Sequence, residues 1–130
     1  MLKSKKIKFL KISSELGAGT RGASKGFEGL KSAAVATGST LFNDHEIISI
    51  KDENDSLLKN INFPNAKRIQ SIYEVLNRVK KTVNHEVKQN HFPLLISGDH
   101  SISMGTIAGI KSAFPNKKIG VVWIDAHADI

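Results

Sequence analysis

Two short apolar runs, Leu94-Leu95-Ile96 and Val121-Val122-Trp123-Ile124, stand on either side of a segment whose apolar residues fall at helical spacing. This arrangement restricts the fold more than any other feature of the chain. The first run is bounded by Phe92-Pro93 and Ser97-Gly98, and the second, Ile119 to Ile124, follows Pro115-Asn116. Both read as buried strands. Between them, Ser101 to Phe114 carries Ile102, Met104, Ile107, Ala108, Ile110 and Ala113 and predicts a helix. From Lys67 to Asn90, Ile69, Ile72, Val75, Leu76, Val79, Val83 and Val87 recur every three or four residues, the period of one buried helical face. Upstream, Lys6 to Ile12 alternates as a strand does, Phe27 to Ala36 suggests a helix ending at Gly38, and Glu46 to Ile50 is a second strand candidate. Lys51 to Asn65 is polar and reads as a connecting loop. Apolar strands separated by amphipathic helices predict a parallel sheet covered on both faces, hence an α/β fold.

The 130 residues, 40% of them hydrophobic, suit one globular domain with a core. The longest apolar stretches are far short of the roughly 20 residues that cross a bilayer, so no membrane span is expected. The basic start, Met1 to Lys6, lacks the apolar region and cleavage site of a secretory signal, which makes the cytoplasm the expected compartment. A net charge of +7 raises the question of nucleic acid. The lysines are dispersed, however, and only 6% of residues are aromatic, so a solvated basic surface is the preferred reading and no nucleic-acid partner is expected. There is no cysteine, so any metal must be held by imidazole and carboxylate.

Ligands of such sheets bind beyond the carboxyl ends of the strands. Gly98-Asp99-His100-Ser101 follows the first apolar run, and Asp125-Ala126-His127-Ala128-Asp129 follows the second. If the chain stays extended there, Asp125, His127 and Asp129 share one side at steps of about 6.5 Å. Any one of these residues, alone, reads as a capping or loop residue. Together they form carboxylates beside imidazoles, an arrangement costly to bury unless a multivalent cation compensates it. Oxygen and nitrogen donors without sulfur suit manganese, and other divalent ions are compatible. Asp99 is a candidate for orienting a ligand histidine from behind. His45, His85 and His91 lie on polar stretches and read as surface residues. Gly17-x-Gly19-x-x-Gly22 matches a dinucleotide fingerprint only formally, because no acidic residue ends a second strand at the required distance; tight turns are the preferred reading.

The pairing of Gly98-Asp99-His100-Ser101 with Trp123-Ile124-Asp125-Ala126-His127-Ala128-Asp129 resembles the ureohydrolases, the arginase and agmatinase family. Gly17-Ala18-Gly19-Thr20-Arg21-Gly22-Ala23-Ser24 also resembles the N-terminal loop of its bacterial arginase-like members. The resemblance implies three α/β/α layers around a mainly parallel sheet, with two manganese ions at the strand ends. It also implies that His100 and Asp129 bind one ion, His127 the other, and Asp125 both. A metal-bridging hydroxide would then attack a guanidinium carbon, turning arginine into ornithine and urea, and the complete protein would be a homo-oligomer. Agmatine and formiminoglutamate are the alternative substrates. Ser97 departs from the first glycine usual in the family, and the family's later Ser-x-Asp-x-Asp-x-x-Asp-Pro segment is absent. Residues 1–130 are therefore expected to be the N-terminal part of a single arginase-like domain, truncated after the Asp-Ala-His-Ala-Asp strand end, and inactive alone. No catalytic residue beyond the metal ligands is expected within it. A noncatalytic fragment or assembly module, and a metal-dependent deacetylase on a related fold, are the other readings.

Overall fold

The computed structural model describes residues 5–18, 20–61 and 63–126. Six elements alternate along the chain: β1 (Ile7–Ile12), α1 (Gly26–Ala36), β2 (Glu46–Ile50), α2 (Ile69–Lys88), β3 (Phe92–Ser97) and α3 (Ile102–Ala113). The strands form one sheet in the order β2-β1-β3, parallel throughout, with Phe9 opposite Ile47 on one side and Leu94 on the other.

The period-two geometry of the central strand explains the layers. Leu10 and Ile12, both essentially inaccessible, point toward α2 and join Val75, Val79 and Val83 and, from α3, Ile102 in one core cluster. Phe9 and Lys11 point the opposite way. The Phe9 ring lies 4.9 Å from Phe42, which packs edge-on against Phe27 of α1, and the Lys11 ammonium sits over Phe27 and pairs with Glu28. A helix thus covers each face of the sheet, as the apolar runs predicted. Fully burying each such aliphatic side chain contributes about 1.5–3 kcal/mol, which is why the buried face of α2 follows the Val75-Val79-Val83 spacing.

Helix α3 lies close against α2 because glycines face it. A Cβ on Gly109 would stand 2.7 Å from Val83 Cβ, and one on Gly105 would stand 2.8 Å from the Leu76 carbonyl oxygen. Helix α2 ends where Asn90 adopts φ 61° and His91 N–H returns to the Glu86 carbonyl, a left-handed cap that aims the chain into β3.

Three details differ from the sequence reading. Ile119 to Ile124 is not a strand: it has no ladder partner among the described residues, and Val122 and Ile124 are 88% and 93% exposed. Its apolar pattern reports a tendency to be buried, but a strand forms only where a neighbour offers hydrogen bonds, and among the described residues β3 pairs with β1 alone. Within the connecting loop, Asn54–Leu58 winds into a 3-10 turn. His91 and His45 are half-buried rather than surface residues: His91 Nδ1 lies 2.7 Å from an oxygen of buried Glu86, and the His45 ring lies 6.0 Å from that of Phe9. His85 is exposed as expected. No helix among the described residues is long and apolar enough to cross a membrane.

Candidate functional site

The carboxyl ends of β1 and β3 are adjacent, so the loops that leave them meet. Gly98 is the point of closest approach. Its N–H reaches the Ile12 carbonyl at 3.3 Å, and a Cβ there would fall 2.4 Å from the Ser14 carbonyl oxygen. The next three residues form a tight turn around the Asp99 carboxylate. Its Oδ1 accepts the Ser101 N–H at 3.0 Å and the Ser101 hydroxyl, while Oδ2 accepts the Gly17 N–H at 3.1 Å from the β1 loop. Asp99 therefore braces both flanks of His100 and ties them to the first loop.

His100 projects from this turn immediately before α3, with its side chain 62% exposed. Ser103 fixes the peptide behind it, since both its N–H and its hydroxyl donate to the His100 carbonyl. Asp125 approaches from the other segment: its Oδ2 lies 3.4 Å from His100 Nδ1, and its side chain is only 17% exposed. The Trp123 ring stands edge-on to the imidazole with centroids 6.0 Å apart. An open cleft of about 380 Å³ lies alongside, lined by Leu95, Ser97, Asp99, His100, Ile102 and Ser103 among others.

Of the residues singled out by sequence, His100, Asp125 and Asp99 come together at one edge of the sheet. His127 and Asp129 lie outside the described residues. Among the described residues, no three acidic or histidine side chains form a group able to hold a metal ion; the pair His100 and Asp125 offers one nitrogen and one carboxylate. Those two donors fit a divalent ion of the manganese kind in their chemistry.

Sequence reading missed Glu15, which is 8% exposed yet charged. Its Oε2 accepts the Gly22 N–H at 2.8 Å and the Ser24 N–H at 3.2 Å. The available signal was an acidic residue directly before a glycine-dense segment, where main-chain N–H groups need acceptors. The Ser24 N–H holds the Glu15 carboxyl below its ordinary value against the opposing effect of burial, with help from the Gly22 N–H, the Ser24 hydroxyl and the Arg21 charge. Lys8 does the same for Glu46, by hydrogen bond and by charge, and Arg78 for Glu53.

These shifts have a consequence for stability. A carboxyl with a lowered folded pKa stabilises above its unfolded value, near 4.5, and that contribution is lost as pH falls through the lower folded values. Thermal melts should therefore hold steady from neutrality to about pH 5 and fall below it. Glu46→Gln should flatten part of that decline, and an unchanged slope would show that the Lys8 pair contributes nothing to it.

The fold and the site define an α/β protein with its polar groups gathered beyond the carboxyl edge of a parallel sheet. A family model described as "Arginase family" matches residues 5–130, and the chain belongs to that family. The arginase of Saccharomyces cerevisiae is 43% identical over 65 residues, which is 50% of this chain and 19% of that protein. The arginase of Bacillus subtilis is 38% identical over 80 residues, 62% of this chain and 24% of that protein. Among solved structures, Entamoeba histolytica arginase in complex with L-ornithine superposes with a TM-score of 0.77 at 28% identity, covering 96% of this chain. The chain spans 42% of that structure, less than half its length.

Proposed function

We propose that this chain supplies part of the metal site of a manganese-dependent ureohydrolase, with arginine plus water giving ornithine plus urea as its reaction. The observation that carries this reading is the meeting of His100 and Asp125 at 3.4 Å beyond the sheet edge, in a chain of the arginase family. In the same proposal His100, Asp125, His127 and Asp129 would hold the metal. Bound manganese supplies a water acidified enough to serve as nucleophile near neutral pH. The chain's own residues orient the donors. Asp99 sets the direction in which His100 leaves its turn, Trp123 flanks the imidazole edge-on, and Asp125 presents its carboxylate to the same ring.

Arginine is preferred as substrate because the relatives quoted are named arginases and one was crystallised with L-ornithine, the product that remains when arginine loses its amidino carbon as urea. The test is urea release by the full-length protein, loaded with manganese and offered arginine or agmatine. Urea from arginine at the higher kcat/KM is the expected result. Bound manganese with urea from neither substrate would overturn the ureohydrolase reading, and preference for agmatine would overturn the substrate choice.

A further inference from the structure

Buried Glu15 has no part in the ligand set, yet its neighbours are the atoms that touch the histidine turn. Ser14, just before it, offers the carbonyl oxygen nearest to Gly98. Gly17, two residues after it, donates to Asp99 and lies so close that an added Cβ would stand 2.8 Å from Asp99 Oδ1 and 3.1 Å from Ser101 Oγ. Ser24, whose N–H the Glu15 carboxylate accepts, presents that same nitrogen 3.2 Å from where a Cβ on Gly98 would sit. The main chain at Glu15 is fixed independently: its N–H donates to Asn54 Oδ1 at 3.1 Å, and Asn54 Nδ2 donates to the Ser13 carbonyl at 2.8 Å. Arg21 closes the arrangement by donating to the Glu15 carbonyl at 3.1 Å.

Burying a carboxylate is costly unless its oxygens are satisfied, and a turn by itself does not require a charge at its centre. What the charge accomplishes here is a strong, short-range hold on two main-chain N–H groups several residues away. That hold draws Gly22 and Ser24 toward Glu15 and shapes the surface on which Gly98, Asp99 and Ser101 rest. We propose that Glu15 is a positioning residue: by folding the loop that leaves β1 it fixes Gly17 and Ser24 against residues 98–101, and so sets the place of His100. Its effect on metal affinity rests on the ureohydrolase reading. Its effect on the histidine turn does not.

The test uses the full-length protein with two readouts, hydrogen exchange of the metal-free form and manganese affinity by calorimetry. Glu15→Ala should speed amide exchange at residues 98–101 about tenfold while leaving the interior of α2 protected. It should also weaken manganese binding about tenfold, the scale of losing a group that orients a ligand. Glu15→Gln, whose carbonyl oxygen can still accept both N–H groups but without the charge, should fall between wild type and Glu15→Ala in both properties. If Glu15→Ala fails to fold, Glu15→Asp, one methylene too short to reach Gly22 and Ser24 together, should give the same directions with smaller size. Faster exchange confined to the loop itself, with residues 98–101 and manganese affinity unchanged, would overturn the proposal and leave Glu15 a local turn former. A wild-type protein that binds no manganese would count against the ureohydrolase reading, and the exchange comparison would still decide the coupling.

Discussion

Gly98→Ala is expected to cost about 3 kcal/mol of stability, the upper range for forcing extra atoms into a packed site, and to displace the histidine turn with it. The added methyl would lie 2.4 Å from the Ser14 carbonyl oxygen, 3.2 Å from the Ala23 carbonyl carbon and 3.2 Å from the Ser24 nitrogen. All three are main-chain atoms, so no side chain can rotate aside; either the β1 loop or the turn at residues 98–101 must retreat. Retreat of the turn breaks the Gly98 N–H bond to Ile12, and retreat of either side pulls Asp99 from Gly17. Gly26→Ala is the control: its φ is −57°, already helical, and nothing lies within 4 Å of the new Cβ, so stability should hold or rise slightly. Thermal and chemical denaturation of both variants measures the difference. Equal stability would mean that the two loops do not press on one another at Gly98.

The same contact shows why fold and site were not equally readable in the sequence. Helix α2 (Ile69–Lys88) is visible because it buries one face, and burial leaves a period in the residues that supply it, whereas β3 is visible as a compact apolar run bounded by Phe92-Pro93 and Ser97-Gly98. Val75, Val79 and Val83 announce a helix whatever it packs against. The run Val121 to Ile124 announces burial equally well, yet the described residues contain no neighbour that pairs with it, and periodicity cannot name a partner. Gly105 and Gly109 look like weak points in a helix until Val83 and the carbonyls of Leu76 and Lys80 are placed against them.

The site divides along the same line. His100 and Asp125 were legible because donors of that type cluster after apolar runs, and they do approach one another. Glu15 was not, because its role depends on two N–H groups seven and nine residues away and on the contact of their loop with Gly98. His91 illustrates the reverse. Its polar surroundings suggested solvent, but the cap at Asn90 turns it back onto Glu86, a buried carboxylate that needs a partner.

Asp125→Asn should lower manganese affinity by about 100-fold or more and abolish urea release, a larger effect than any substitution behind the ligands, since those cost about 10- to 100-fold. The argument rests on charge and placement. The substitution keeps the shape of the side chain and removes its formal charge beside an imidazole 3.4 Å away. A neutral amide oxygen is a much weaker partner for a divalent cation than a carboxylate. The metal-free protein should tolerate the change, because Asp125 follows an exposed segment and stands outside the Leu10-Val79 core. Melting of the metal-free form within a few degrees of wild type, together with lost manganese binding in calorimetry, would locate the defect at the ligand. Unchanged affinity would remove Asp125 from the ligand set, and with it the reason for an aspartate to face His100 at the edge of this sheet.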